Sequence, residues 1–199
     1  MNQLLSLLVA TSLASTALAQ QLPCWNTNTG TNLLLGDDQM SPGQALGFTF
    51  AYGGASYTDI QVSDNGYITL GATGGVSNYI ASEAALVGDP FPRICPFWTD
   101  LDPTITGSGN VYFNAVPAAG GMPAHAIVTW LGVFEWGGSM PHTFQIVLVD
   151  GGALHRRYHA ALAAAVIAVP LLMDAPLPET NGAVQAFFAS PMELAPPPP

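Results

Sequence analysis

The segment Tyr57–Gly71 accepts one strand pairing, and that pairing fixes the class of fold. Ile60 and Val62 alternate with polar residues before Asp64-Asn65-Gly66, and Ile68 and Leu70 do the same after it. A two-residue Asn-Gly loop would set Val62 opposite Thr69 and Gln61 opposite Leu70, mixing the two faces. A slip of one residue turns every side chain to the other face, so burial selects the register. A three-residue loop, Asp64-Asn65-Gly66, sets Val62 against Ile68 and Ile60 against Leu70. Gly66 then takes the left-handed position of a bulged turn. The sequence predicts a hairpin with one apolar face.

Other stretches repeat the period of two. Leu46, Phe48, Phe50 and Tyr52 alternate with Gly47, Thr49 and Ala51, and Gly53-Gly54 ends the run. Val111-Tyr112-Phe113, Ala126–Val133 and His142–Val149 read as further strands. Ile94–Trp98 reads as a buried strand that carries Phe97 and Trp98 into the core. Residues 20–43 form an arm that lays one strand on the domain edge, and residues 72–92 form a loop with a short helical turn at Ser82–Leu86. With 21 Gly and 17 Pro as punctuation, about seven short strands without amphipathic helices predict an all-β, antiparallel β-sandwich with long Gly-rich loops. Asp150-Gly151-Gly152 promises a closing strand, with Leu154 and Tyr158 at strand positions. The Ala/Pro-rich residues that follow fulfil it poorly, so the sandwich is assigned to residues 20–152. Residues 153–199 are read as an irregular or partly helical tail, frameshifted or disordered.

Charge narrows the partners. The chain has 199 residues, three arginines, no lysine and a formal charge of −10. Nucleic acid and anionic membranes both need a basic patch, which this chain lacks. Residues 1–19 read as a secretory signal, with an apolar run from Leu4 to Ala10 and an Ala17-Leu18-Ala19 cleavage pattern. No membrane span is expected once it is removed, and the location expected is secreted, cell-surface or periplasmic. In an exported chain the two cysteines, Cys24 and Cys95, suggest a disulfide. Closing a loop of roughly 70 residues would contribute about 4 kcal/mol. The alternative is two thiols, with Cys95 buried beside Phe97.

Pro96-Phe97-Trp98-Thr99-Asp100-Leu101-Asp102-Pro103 joins buried aromatics to two carboxylates. Asp100 and Asp102 could act as a hydrolase pair, or as a Ca²⁺ site completed by Asp59, Asp64 or backbone carbonyls. The plainer reading is a corner: short polar residues bond their own backbone, and Asp-Pro starts turns. Trp98 and Trp130 lie in apolar strand contexts and read as core. Trp136, between Glu135 and Gly137-Gly138, is the candidate for an exposed partner contact. His125, His142, His155 and His159 read as structural or surface residues rather than a zinc set. No nucleotide or cofactor motif stands out, and no cofactor is expected.

Taken in order, five stretches resemble the NIDO domain, the nidogen-like extracellular module, in its bacterial form. They are Val62–Ile68 within its hairpin, Pro96–Pro103, Gly109–Phe113, Ile127–Trp130 and Thr143–Leu148. The resemblance implies an extracellular, non-enzymatic sandwich and brings no catalytic residues. Cys95 departs from the small apolar residue more usual there, and the closing strand after Gly152 is degraded. The function expected is an exported interaction or adhesion module that binds a protein or matrix/glycan partner through loops, with no catalysis. Its rivals are a secreted hydrolase using Asp100 and Asp102, and a Ca²⁺-dependent carbohydrate-binding sandwich.

Overall fold

Strand-forming runs cut by glycine turns build two sheets in the computed structural model, which describes Leu22, residues 25–158 and residues 192–194. In chain order the elements are β1 (Thr31–Asn32), β2 (Gln44–Tyr52), β3 (Ala55–Ser63), β4 (Tyr67–Leu70), α1 (Glu83–Gly88), β5 (Arg93–Ile94) and β6 (Leu101–Asp102). There follow β7 (Asn110–Val116), β8 (His125–Glu135), β9 (Pro141–Val149), β10 (Leu154–Tyr158) and β11 (Met192–Leu194). One sheet has the order β2-β3-β4-β5, and the other β1-β7-β8-β9-β10-β11 with β6 paired to the end of β8. Every pairing is antiparallel except β10 with β11.

The hairpin register follows the apolar faces: Ile60 pairs with Leu70 and Val62 with Ile68. Gly66 has φ +80°, and a Cβ there would stand 1.8 Å from the Phe97 carbonyl oxygen. Only glycine suits that position. The expected helical turn is α1, its N-cap Ser82 accepting a hydrogen bond from the Ala85 amide at 3.1 Å.

One apolar cluster joins the sheets. Leu46, Phe50, Ile60, Val62 and Ile68 from the first meet Val111, Val128, Trp130, Phe144 and Ile146 from the second. That makes the fold a sandwich. Trp130 is 0% exposed and stacks on Phe144 with ring centroids 4.7 Å apart. Its Nε1 donates to the carbonyl oxygens of Ser63 and Asp64, both at 3.0 Å, so the indole N–H is not stranded in the core. The N-terminal arm lies where expected, Thr31 pairing with Phe113 at the sheet edge. It also covers the outer face of the second sheet, where Gln145 exchanges hydrogen bonds with the Asn26 backbone and Leu22 packs near Ile127 and Val147.

Two expectations need correction. The strand expected over Ile94–Trp98 stops at Ile94, and Trp98 is only half-buried. Pro96 has no N–H to continue a ladder, and the Phe97 amide turns to the Gly66 carbonyl at 3.3 Å instead. Trp98 therefore lies outside the core, 5.3 Å from Tyr67 and over the Arg93 guanidinium, its Nε1 donating to the Asn78 carbonyl at 2.6 Å. Second, the sheet continues past Gly152. Leu154, Arg156 and Tyr158 pair with Leu148, Ile146 and Phe144, and residues 192–194 add a parallel strand to them. The signal assigned to residues 1–19, Cys24, His159 and the rest of the Ala/Pro-rich tail lie outside the described residues. Among the described residues no helix is long and apolar enough to cross a membrane.

Among the described residues Cys95 is buried and has no disulfide partner, and burial pushes its thiol pKa up to about 12 against the opposing pull of nearby Arg93. Because the thiolate is the reactive form, alkylation of the native protein at pH 9 should leave Cys95 unmodified. Modification at the rate of an unfolded peptide would contradict the burial. In denaturant without reductant, no thiol titrates if Cys24 and Cys95 are paired, and two titrate if they are not. Trp130→Ala should cost about 3–5 kcal/mol in urea unfolding, and Trp98→Ala clearly less. Equal losses would return Trp98 to the core.

Candidate functional site

Three segments converge at one end of the sandwich: the loop 36–39, the turn 63–66 and the corner 99–104. The turn holds them together. Asp64 lies in the bulged loop of the β3–β4 hairpin, and its backbone is pinned by Trp130 beneath it. Its Oδ1 accepts hydrogen bonds from the Gln39 amide at 3.0 Å, Ser77 Oγ at 3.1 Å and Ser63 Oγ at 3.3 Å. Asn65 reaches both neighbours. Its Nδ2 donates to Asp38 Oδ1 at 2.9 Å, and its Oδ1 accepts from the Leu101 amide at 2.7 Å. The Thr99 amide donates to the Asn65 carbonyl at 3.3 Å. A short polar pair at a turn, buried by the chain that folds over it, thus positions two acidic loops.

The result is a crowd of carboxylates. One oxygen from each of Asp37, Asp38 and Asp64 lies within 4.8 Å of the others. Asp64 is 0% exposed, while Asp37 and Asp38 are exposed. Burial raises the Asp64 pKa to about 7, against the opposing hydrogen bonds from Ser77 and the amides of Gln39 and Asp38. Partial burial, and then Asp38, Asp37 and Asp102, push Asp100 up. Asp37 is raised by desolvation, and then by Asp102 and Asp38. Oxygen donors alone, with no imidazole or thiolate among them, form a set for a hard cation.

Asp100 and Asp102 do reach this end of the molecule, but not as an isolated pair. Asp102 is buried, and its Oδ1 accepts from Thr104 N at 2.7 Å and Thr104 Oγ1 at 2.6 Å. That is the local backbone capture expected of a corner. Asp100 turns its carbonyl to the Trp136 amide at 2.9 Å, extending the pairing of β6 with β8. Asp59, considered as a further ligand, lies elsewhere. It borders a shallow groove with Ala45, Gly47, Phe48, Thr49 and Thr58, where the β2–β3 register shifts. Asp64, considered with it, is at the centre of the cluster.

Trp136 is 66% exposed in the β8–β9 loop, with Met140 exposed at 70% in the same loop. His125 is buried, its Nδ1 3.0 Å from the Pro123 carbonyl. His142 Nε2 stands 3.1 Å from Glu135 Oε1, with its ring against Phe97. His155 lies in β10. These histidines are dispersed. Asp37 and Asp38 are the residues that sequence reasoning passed over. The signal was an Asp-Asp pair after Gly36, but nothing in the sequence placed it against a turn some 25 residues on.

The chain matches the family model described as "NIDO related" over residues 15–166. No curated protein and no solved structure matches the chain. The match spans most of the sequence, covers both sheets through β10 and includes all three segments of the acidic end. The chain belongs to the NIDO-related family.

Proposed function

We propose that this chain is an exported extracellular interaction module, without catalysis of its own, that binds a protein or matrix/glycan partner through the loop end bearing Trp136. The observation that carries the reading is the exposure of Trp136 and Met140 together in the β8–β9 loop. A tryptophan that gives up burial forgoes a large apolar gain, and tryptophan is the residue type most often found as a binding anchor. The loop is also anchored rather than free, since the Trp136 amide is held by the Asp100 carbonyl. An anchored aromatic loses little conformational freedom when a partner covers it. Membership of an extracellular family supports the location, and the Ala17-Leu18-Ala19 pattern supports export.

Support for a non-catalytic role comes from the corner. A carboxylate that already accepts two hydrogen bonds from Thr104 is poorly available as a general acid or base. The alternative of a Ca²⁺-dependent carbohydrate-binding sandwich draws on the acidic cluster of Asp37, Asp38 and Asp64, rather than on Asp100 and Asp102 completed by Asp59 or Asp64.

Trp136→Ala should leave stability within about 0.5 kcal/mol of the parent, because the side chain is exposed. Against a panel of immobilised matrix proteins and glycans, the parent should bind at least one saturably and the variant about tenfold more weakly or worse. Unchanged binding by the variant would overturn the role of Trp136. Hydrolysis of a panel member that is lost on Asp102→Asn would replace the module by the enzyme.

A further inference from the structure

The acidic end contains one group the fold leaves unsatisfied. Asp64 Oδ2 is buried and has no hydrogen-bond partner, while Oδ1 of the same carboxylate accepts from the Gln39 amide, Ser77 Oγ and Ser63 Oγ. A buried carboxylate oxygen without a partner is costly. Its acidic surroundings make the cost larger, because Asp37 and Asp38 bring two further carboxylates within 4.8 Å. Basic side chains are scarce: the chain has three arginines and no lysine. Arg93 is held by Asp89, and Arg156 and Arg157 belong to β10.

We propose that Asp37, Asp38 and Asp64 form a Ca²⁺ site, with the free Oδ2 of Asp64 as its buried ligand. One divalent cation satisfies that oxygen and neutralises the repulsion among the three carboxylates at the same time. The spacing agrees. Ca²⁺–oxygen bonds of about 2.3–2.6 Å place ligands on opposite sides of one ion about 5 Å apart at most, and one carboxylate oxygen from each of the three residues lies within 4.8 Å of the other two. All-oxygen donors exclude a preference for Zn²⁺. Loop-borne carboxylates, two of them open to water, suit the flexible six-to-eight-fold shell of Ca²⁺ better than the strict octahedron of Mg²⁺. Asp100 adds negative potential nearby without being needed as a ligand.

The site would also order the end of the sandwich that carries Trp136. Asn65 connects Asp38 to the Leu101 amide, and Asp100 holds the Trp136 amide. A cation clamped at Asp37 and Asp38 therefore stiffens the loop beside the exposed aromatic. The site itself stands on the carboxylate geometry and does not depend on what Trp136 binds.

The test is calorimetric titration of the full chain, stripped with chelator and then dialysed free of it, using CaCl₂ and in parallel MgCl₂. We expect one saturable Ca²⁺ site, at least tenfold tighter than Mg²⁺, and a rise in melting temperature on Ca²⁺ addition. Asp37→Asn changes an exposed residue and should keep the fold while weakening Ca²⁺ at least tenfold. Asp64→Asn should abolish the site, and Asp59→Asn, on the distant groove, should leave it unchanged. If Asp64→Asn fails to fold, Asp37→Asn still decides. No heat and no thermal shift at millimolar Ca²⁺, or full Ca²⁺ affinity in Asp37→Asn, would overturn the proposal, as would equal affinity for Mg²⁺.

Discussion

Everything at the acidic end of the sandwich depends on a turn that is buried. Turns normally lie at the surface because their polar backbone must meet water. Here Ser63, Asp64 and Asn65 are fully buried, and the fold supplies partners in place of solvent. Trp130 donates from below to two of the turn's carbonyls, and the amides of Phe97 and Thr99 donate from the chain that crosses over it. Gly66 permits that crossing, because a side chain there would collide with the Phe97 carbonyl. The same contacts that bury the turn fix where residues 97–102 run, and therefore where Asp100, Asp102 and the β8–β9 loop are held.

This arrangement explains which parts could be read in the sequence. The hairpin register follows from local alternation, so Ile60, Val62, Ile68 and Leu70 were enough to derive it. The strands from Leu46 to Tyr52 and from His142 to Val149 were legible for the same reason, and so was the edge arm. The stretch Ile94–Trp98 looked equally apolar and failed. Its continuous apolar character reads as a buried strand, but Pro96 removes a ladder donor, and the competing acceptor at Gly66 lies 31 positions earlier in the chain. A long-range hydrogen bond decided its path, and alternation carries no trace of such a bond. The closing strand failed in the opposite direction. Leu154–Tyr158 has weak β character, yet the open edge of β9 provides a template that overrides propensity.

The site was legible in part. Asp100 and Asp102 were singled out for their spacing, and the reading of Asp102 as a corner residue agrees with its two bonds from Thr104. The acidic cluster is a different matter. It draws on two segments distant in sequence, and only the fold brings Asp37 and Asp38 to Asp64. Residues brought together by tertiary structure have no common spacing to detect. Trp136 could be found because its signal is local: a large aromatic between a carboxylate and two glycines has little chance of burial. An anchored aromatic beside a set of carboxylates gives this end of the sandwich both an apolar contact and an electrostatic one, the mixture that specific recognition uses.

The central claim is that the buried turn, rather than a regular strand, holds residues 97–101 in place. Native-state hydrogen exchange on the amides of Phe97, Thr99 and Leu101 tests it most directly, since their acceptors are Gly66, Asn65 and the Asn65 side chain. The account predicts that all three exchange as slowly as the core amides of β8, opening only with global unfolding. Exchange at the rate of an exposed loop would contradict it, and the acidic end would then have no fixed scaffold.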